Sequence, residues 1–290
     1  MASIIVKVAR SAALLGAVLV VLGAAARQTS LLDGMLIFFP KRELAGDPGD
    51  LGLAYEDVFF EAADGVRLHG WFVPGRGDNV LLWFHGNAGN IGHRLDNILM
   101  LHRLLGTGVF IFDYRGYRRS DGSPSEKGMY KDAEAAIAYL RSTPGFDSET
   151  QLIIFGRSLG SAVAVEMATR HDARGVILES PFTSIRAMAK LSNPLLSSVL
   201  PFGAVVRSRF DSLSKIGEVR SPVMVLHGDR DELIPIEVGR ELYDAAGEPK
   251  RFYTIKGAAH NDTYVVGGEA YFNALAGFID DPRGNHVTGK

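Results

Sequence analysis

The chain has 290 residues, 47% of them apolar and 22% charged, the make-up of a globular protein with a full core, and this excludes disorder over most of its length. Its 31 basic and 33 acidic residues leave a net charge of −2; with no basic block beyond Arg115-Gly116-Tyr117-Arg118-Arg119, the chain has no electrostatic footprint for nucleic acid. The absence of cysteine excludes disulfides, thiolate metal sites and a cysteine nucleophile together.

Lys7 and Arg10 precede an uncharged run from Ser11 to Ala26. A positive head followed by an apolar stretch reads as a targeting segment. Residues 1–26 are therefore expected to be a signal anchor, with a cleaved signal ending at Ala24-x-Ala26 as the alternative and a buried soluble helix as the third reading. Sixteen residues at about 1.5 Å each reach roughly 24 Å, short of the ~30 Å hydrocarbon core, and Ile4 to Val8 make up the difference if Lys7 snorkels. The basic residues stay cytoplasmic, so the folded domain belongs on the non-cytoplasmic side, membrane-anchored or, after cleavage, secreted or periplasmic. Residues 27–54 read as a linker. Within it the apolar segment 31–40 is too short to span and is expected to pack onto the domain, with the membrane surface as the other option.

From residue 55 to 282 the periodicity alternates between short apolar runs and amphipathic ones. Tyr55–Phe60 and Arg67–Val73, joined through Asp64-Gly65, read as a β-hairpin. Asn79–His85, Val109–Tyr114, Gln151–Phe155, Gly175–Leu178, Pro222–His227 and Arg251–Ile255 are nearly continuous apolar runs, as strands covered on both faces require. Helical patterns over 92–105, 127–141, 159–171, 236–246 and 264–279 fall between or after them. The fold class is α/β: a mostly parallel sheet of eight strands with helices on both faces. The longest connection, Pro181 to Ser221, is expected to form a short lid. Residues 283–290 form a polar tail.

Gly156-Arg157-Ser158-Leu159-Gly160 follows a strand and opens a helix, the setting that G-x-S-x-G requires. A turn this sharp leaves no room for side chains two residues either side of the serine, and it lifts the Ser158 hydroxyl above the sheet edge. A serine needs a base, and the base needs an orienting acid. His260, in the loop after the last strand, is the expected base; His286 lies in the tail. The acid belongs in the loop after Pro222–His227, where Asp229, Asp231 and Glu232 compete and spacing does not choose among them. The oxyanion hole is expected from the backbone N–H groups of Asn87, in the glycine-rich loop His85–Asn90, and Leu159. His85 is expected to pack beneath that loop.

With these residues in place, the chain resembles the α/β-hydrolase superfamily, and within it the membrane-anchored Bem46-like group. The matching segments are LIFFP (36–40), FHGNAGN (84–90), DYRGYRRSDGSPSE (113–126), GRSLGSAVA (156–164), ESPFTS (179–184), LHGDRDELIP (226–235) and AAHND (258–262). The resemblance implies an α/β-hydrolase fold with Ser158 as nucleophile, His260 as base and Asp231, the aspartate of the family's G-x-x-D, as acid; it also supports Asn87 and Leu159 as oxyanion donors. No metal or cofactor is implied. One departure stands out: Arg118 occupies the middle glycine of the family's R-G-Y-G-R-S. At φ > 0 an arginine there costs about 1 kcal/mol, and the three arginines offer either a preference for acidic substrates or a solvated surface cluster.

The expected activity is that of a serine hydrolase acting on carboxylic esters or thioesters, with small-molecule or lipid-like acyl substrates near a membrane. An aminopeptidase or amidase of the same fold is the first rival, and a non-catalytic membrane-tethered scaffold the second. Serine at 158 excludes a dehalogenase or epoxide hydrolase, which would need aspartate there. Oligomeric state is not legible.

Overall fold

The structure, a computed structural model, describes residues 37–43, 45–192 and 206–284. The expected anchor, residues 285–290 of the tail with His286, and the middle of the expected lid lie outside them. Eight strands form one sheet: β1 (Glu56–Glu61), β2 (Arg67–Val73), β3 (Val80–Phe84), β4 (Gly108–Asp113), β5 (Leu152–Arg157), β6 (Gly175–Glu179), β7 (Val223–Gly228) and β8 (Lys250–Ile255). Their order is β8-β7-β6-β5-β3-β4-β2-β1. The hairpin β1–β2 and the β2–β4 pair are antiparallel, and every other pair is parallel.

Every residue of β3 to β7 is buried, because both faces are covered. Leu82, Phe84, Phe110 and Phe112 point to one side, against α2 (Glu126–Arg141), α3 (Leu159–Arg170) and α5 (Ile236–Ala245). Leu81, Trp83, Val109 and Ile111 point to the other, against α1 (Leu95–Leu105) and α6 (Thr263–Asp280). Local chemistry sets the helix ends: Ser125 caps α2 by accepting from Gly128 N–H, and Gly106 closes α1 at φ 68°, where glycine avoids the Cβ clash.

The described end of the apolar segment packs onto the domain. Ile37 and Phe38 are buried, Phe38 against Phe210, and Phe39–Pro40 pair in parallel with Ala88–Gly89. This two-residue pairing had no sequence signal. The described flanks of the 181–221 connection are also fixed: α4 (Ile185–Ser192) begins where Ile185 N–H donates to Arg209 O, and Glu126 accepts from Arg209 and Phe210 N–H.

Arg118 does sit at positive φ, 39°, and its guanidinium lies 4.9 Å from the Trp71 ring centroid. Of the neighbouring arginines, Arg119 is exposed, as a solvated surface cluster requires, whereas Arg115 is not. Arg115 is buried and paired with Asp64 and Asp132, and Arg119 pairs with Asp57. All three brace the turn after β4 against the β1–β2 side of the sheet. Arg118→Ala keeps the strain and loses the stacking contact, whereas Arg118→Gly loses the contact but relieves the strain. Urea unfolding is therefore expected to give a lower midpoint for Arg118→Ala than for Arg118→Gly; the reverse order would place the strain elsewhere.

Candidate active site

β5 delivers Ser158 into a backbone conformation of φ 51°, ψ −121°, one that costs a non-glycine residue of order 1–3 kcal/mol and persists only where its surroundings impose it. Those surroundings are tight. A Cβ on Gly156 would lie 2.5 Å from Gly160 O and 2.6 Å from the Ala164 Cβ, and one on Gly160 would run into the Phe84 carbonyl. Ser158 N–H donates to Glu179 O, while Ser158 O accepts from Ser161 N–H and Ser161 Oγ. Turn and helix are thus fixed together, with the hydroxyl left at the carboxyl edge of the sheet, beside the strand-order reversal around β3.

Of the residues expected from sequence, three are brought into one chain of hydrogen bonds. Ser158 Oγ stands 3.1 Å from His260 Nε2, and His260 Nδ1 stands 2.8 Å from Asp231 Oδ2. A carboxylate only accepts, so Nδ1 carries the ring proton and Nε2 turns its lone pair to the hydroxyl. The other Asp231 oxygen accepts from Leu233 and Ile234 N–H at 3.0 and 2.8 Å. Burial works to raise the Asp231 carboxyl, but hydrogen bonds from His227, His260 and Ile234 outweigh it and hold the group well below the usual carboxylate range; it is ionised at neutral pH. The competing carboxylates are elsewhere: Asp229 is exposed and accepts from Gly257 N–H at 2.6 Å, and Glu232 is exposed.

The two backbone groups expected to hold an oxyanion lie on the residue after the serine and in the loop after β3. Leu159 is the first residue of α3, where an N–H has no partner within the helix. Asn87 lies in the loop after β3, and this loop is braced: Tyr117 Oη donates to Asn87 O at 2.8 Å, and Phe39 N–H donates to Asn87 Oδ1 at 3.3 Å. Gly86 faces the serine, since a Cβ there would stand 3.5 Å from the Ser158 Cβ.

Several contributing residues carried no assigned role in the sequence reading. His227 Nε2 donates to Ile234 O at 2.8 Å and lies 3.4 Å from Asp231 Oδ2, closing the acid loop. Arg157 reaches the other way: Nη2 donates to His260 O at 2.6 Å and Nε to Glu179 Oε1 at 2.9 Å. Glu179, fully buried, also accepts from Thr263 Oγ1 and Tyr271 Oη at 2.6 and 2.5 Å. The available signal was a charged residue at the inward position ending an otherwise apolar strand, as in LIIFGR and GVILE, where burial demands partners.

Beneath the oxyanion loop, His85 is buried as expected, with Nδ1 2.7 Å from Gly86 O and its ring on Tyr114. Its Nε2 is 3.8 Å from Asp113 Oδ1, yet the two form no ion pair at neutral pH. Burial pushes the imidazole down to about 3, and burial pushes the Asp113 carboxyl up to about 7 against the Ile91 N–H bond that lowers it. An unfolded aspartate loses its proton near pH 4, so the folded state holds a proton the unfolded chain releases, and this group's stability contribution falls as pH rises from about 4 to 7. Asp113→Asn removes that dependence. Its urea midpoint relative to the wild type is expected to be higher at pH 8 than at pH 5; a pH-independent difference would contradict the buried neutral carboxyl.

Comparison with known proteins shows the family and the fold. Residues 76–216 match the family model described as serine aminopeptidase, S33. The chain is 36% identical over 250 residues to the α/β-hydrolase domain-containing protein WAV2 of Arabidopsis thaliana, covering 80% of this chain and 81% of that protein. It is 34% identical over 258 residues to protein bem46 of Schizosaccharomyces pombe, covering 83% and 82%. The chain belongs to the Bem46-like α/β-hydrolases. A further relative, 35% identical over 238 residues and covering 80% of this chain and 82% of its own length, is an uncharacterized membrane protein of Saccharomyces cerevisiae. Among solved structures, a Pyrococcus furiosus esterase superposes with TM-score 0.70 at 20% identity, over 84% of this chain and 97% of that one, a likeness of fold. Among the described residues no helix is long and apolar enough to cross a membrane.

Proposed function

We propose that this Bem46-like hydrolase cleaves carboxylic ester or thioester bonds with Ser158 as nucleophile, His260 as general base and Asp231 as the orienting acid. The observation that carries this reading is the continuous path Ser158 Oγ–His260 Nε2–His260 Nδ1–Asp231 Oδ2, at 3.1 and 2.8 Å. His260 takes the hydroxyl proton as Ser158 Oγ attacks the acyl carbonyl, and the N–H groups of Asn87 and Leu159 hold the resulting oxyanion. The imidazolium, stabilised by Asp231, then protonates the leaving alkoxide or thiolate. Water attacks the acyl-serine with the same histidine as base, which returns the proton to Ser158. A scaffold that had lost catalysis would have no need to keep this path or the strained serine.

Residues 1–26, read as an uncleaved anchor, place this domain beside a membrane on its non-cytoplasmic face, and the naming of the yeast relative as a membrane protein supports the tether. Substrates with lipid-like acyl chains follow from that location. The family model's description favours one second reading, a serine aminopeptidase. Both are tested by turnover of p-nitrophenyl esters from acetate to palmitate, acyl thioesters and aminoacyl p-nitroanilides. Ester or thioester turnover lost in Ser158→Ala is expected; anilide turnover alone would favour the peptidase.

A further inference from the structure

Among the described residues, six large apolar side chains stand 45% to 65% exposed: Phe39, Leu104, Leu191, Leu233, Val265 and Val266. Scattered singly they would mean nothing, but they are not scattered. Leu233 sits in the loop leaving the carboxyl end of β7, two residues from Asp231, and its N–H donates to that carboxylate. Val265 and Val266 lie in the first turn of α6, which starts three residues after His260. Leu191 is on α4, which follows the carboxyl end of β6, and Phe39 pairs with Ala88 beside Asn87. Five of the six thus belong to the connections at the edge that carries Ser158. Leu104 alone lies at the far end of α1.

The same edge is where the preceding chain joins the domain. Phe39–Pro40 pair with Ala88–Gly89, and Lys41 N–H donates to Gly89 O, so the connection to the uncharged Ser11–Ala26 stretch leaves next to the oxyanion loop. The twelve residues between Ala26 and Phe39 span at most about 3.3–3.6 Å each, which ties this edge, more closely than the far one, to whatever holds that stretch. Exposed apolar side chains gathered on the elements of one edge, the edge at which the chain is tethered, point to a contact surface. We infer that the edge bearing Ser158 is itself the membrane-docking face, with Phe39, Leu191, Leu233, Val265 and Val266 seated in the headgroup region of a lipid bilayer, so that acyl substrates reach the serine directly from the lipid surface. This rests on the proposed anchor and serine-hydrolase readings and adds an orientation to them.

The absence of cysteine gives a direct test, because a single introduced cysteine carries the only label. Full-length Leu233→Cys, Val265→Cys and Leu104→Cys, each coupled to an environment-sensitive nitrobenzoxadiazole dye, are reconstituted in phosphatidylcholine vesicles containing nitroxide-labelled lipid. Labels at 233 and 265 are expected to shift to the blue and to be quenched several-fold more than the label at 104. Equal quenching at all three positions, or water-like emission at 233 and 265, would overturn the orientation. A blue shift without lipid quenching would also overturn it, since a second copy or another protein would then cover the face, and so would failure of the full chain to float with vesicles. Val265→Glu supplies the kinetic counterpart: turnover of a long-chain ester embedded in vesicles is expected to fall several-fold while a soluble acetate ester is unaffected, and an equal fall on both would count against docking. Fluorophosphonate labelling of Ser158 in the same samples reports on the hydrolase reading separately, so failure of either is distinguishable.

Discussion

Replacing Asp231 by asparagine is expected to lower kcat by about 10⁴ while the protein stays folded, the magnitude set by loss of the correct imidazole tautomer in a serine triad. The reason lies in who donates to whom. Leu233 and Ile234 N–H hold Oδ1, so an asparagine keeps its oxygen there and turns its amide nitrogen towards His260 Nδ1. That nitrogen is a donor, and His260 Nδ1 must then accept, moving the ring proton to Nε2. The Nε2 lone pair that should receive the Ser158 proton is gone. Asparagine at 229 and glutamine at 232 change groups that are exposed and outside this path, so Asp229→Asn and Glu232→Gln are expected to stay within a few-fold of wild type. Steady-state kinetics on one soluble ester across the three variants checks the assignment; an Asp231→Asn enzyme within tenfold of wild type would shift the acid to another residue.

The largest effect on stability is expected at Glu179. Breaking a buried ion pair by removing one partner costs about 3–5 kcal/mol, because the survivor is left charged and unpaired. Glu179 is fully buried and Arg157 nearly so, and the carboxylate accepts from Arg157, Thr263 and Tyr271 together. Glu179→Gln keeps the volume but leaves the guanidinium uncompensated, so its denaturation midpoint should drop sharply. The double variant Glu179→Gln/Arg157→Met removes both charges and is expected to recover part of that stability. Activity should not recover with it, because Arg157 Nη2 is the donor that holds the His260 carbonyl and methionine has no such group. Stability restored without activity separates positioning of the histidine from simple folding; parallel recovery of both would make the pair purely structural.

Most of the frame was legible because its physics is local. NVLLWFH and VFIFDY are short, β-branched and aromatic runs that suit strands covered on both faces, and the glycines around Ser158 are demanded by a turn whose Cβ clashes are visible at Gly156 and Gly160. Choosing Asp231 over Asp229 was beyond local rules: both follow the same strand two residues apart, and the choice depends on how the Gly228–Ile234 loop folds back to present two N–H groups to one carboxylate. The resemblance, not the spacing, supplied that residue. The Phe39–Pro40 pairing and the Arg157–Glu179–Tyr271 network are long-range contacts, up to 92 residues apart in sequence, and no periodicity encodes them. In the turn after β4, Arg119 is exposed as the composition suggests, but Arg115 is buried. Their partners Asp57, Asp64 and Asp132 come from elements that only the fold brings near.

The central claim is that Ser158 is an activated nucleophile, and the most direct measurement is intact-protein mass spectrometry after brief exposure to a fluorophosphonate. One adduct is expected, mapping to the peptide that contains Ser158, absent in Ser158→Ala and formed orders of magnitude more slowly in His260→Ala. No adduct on the folded wild-type chain, or an adduct that persists in Ser158→Ala, would contradict it.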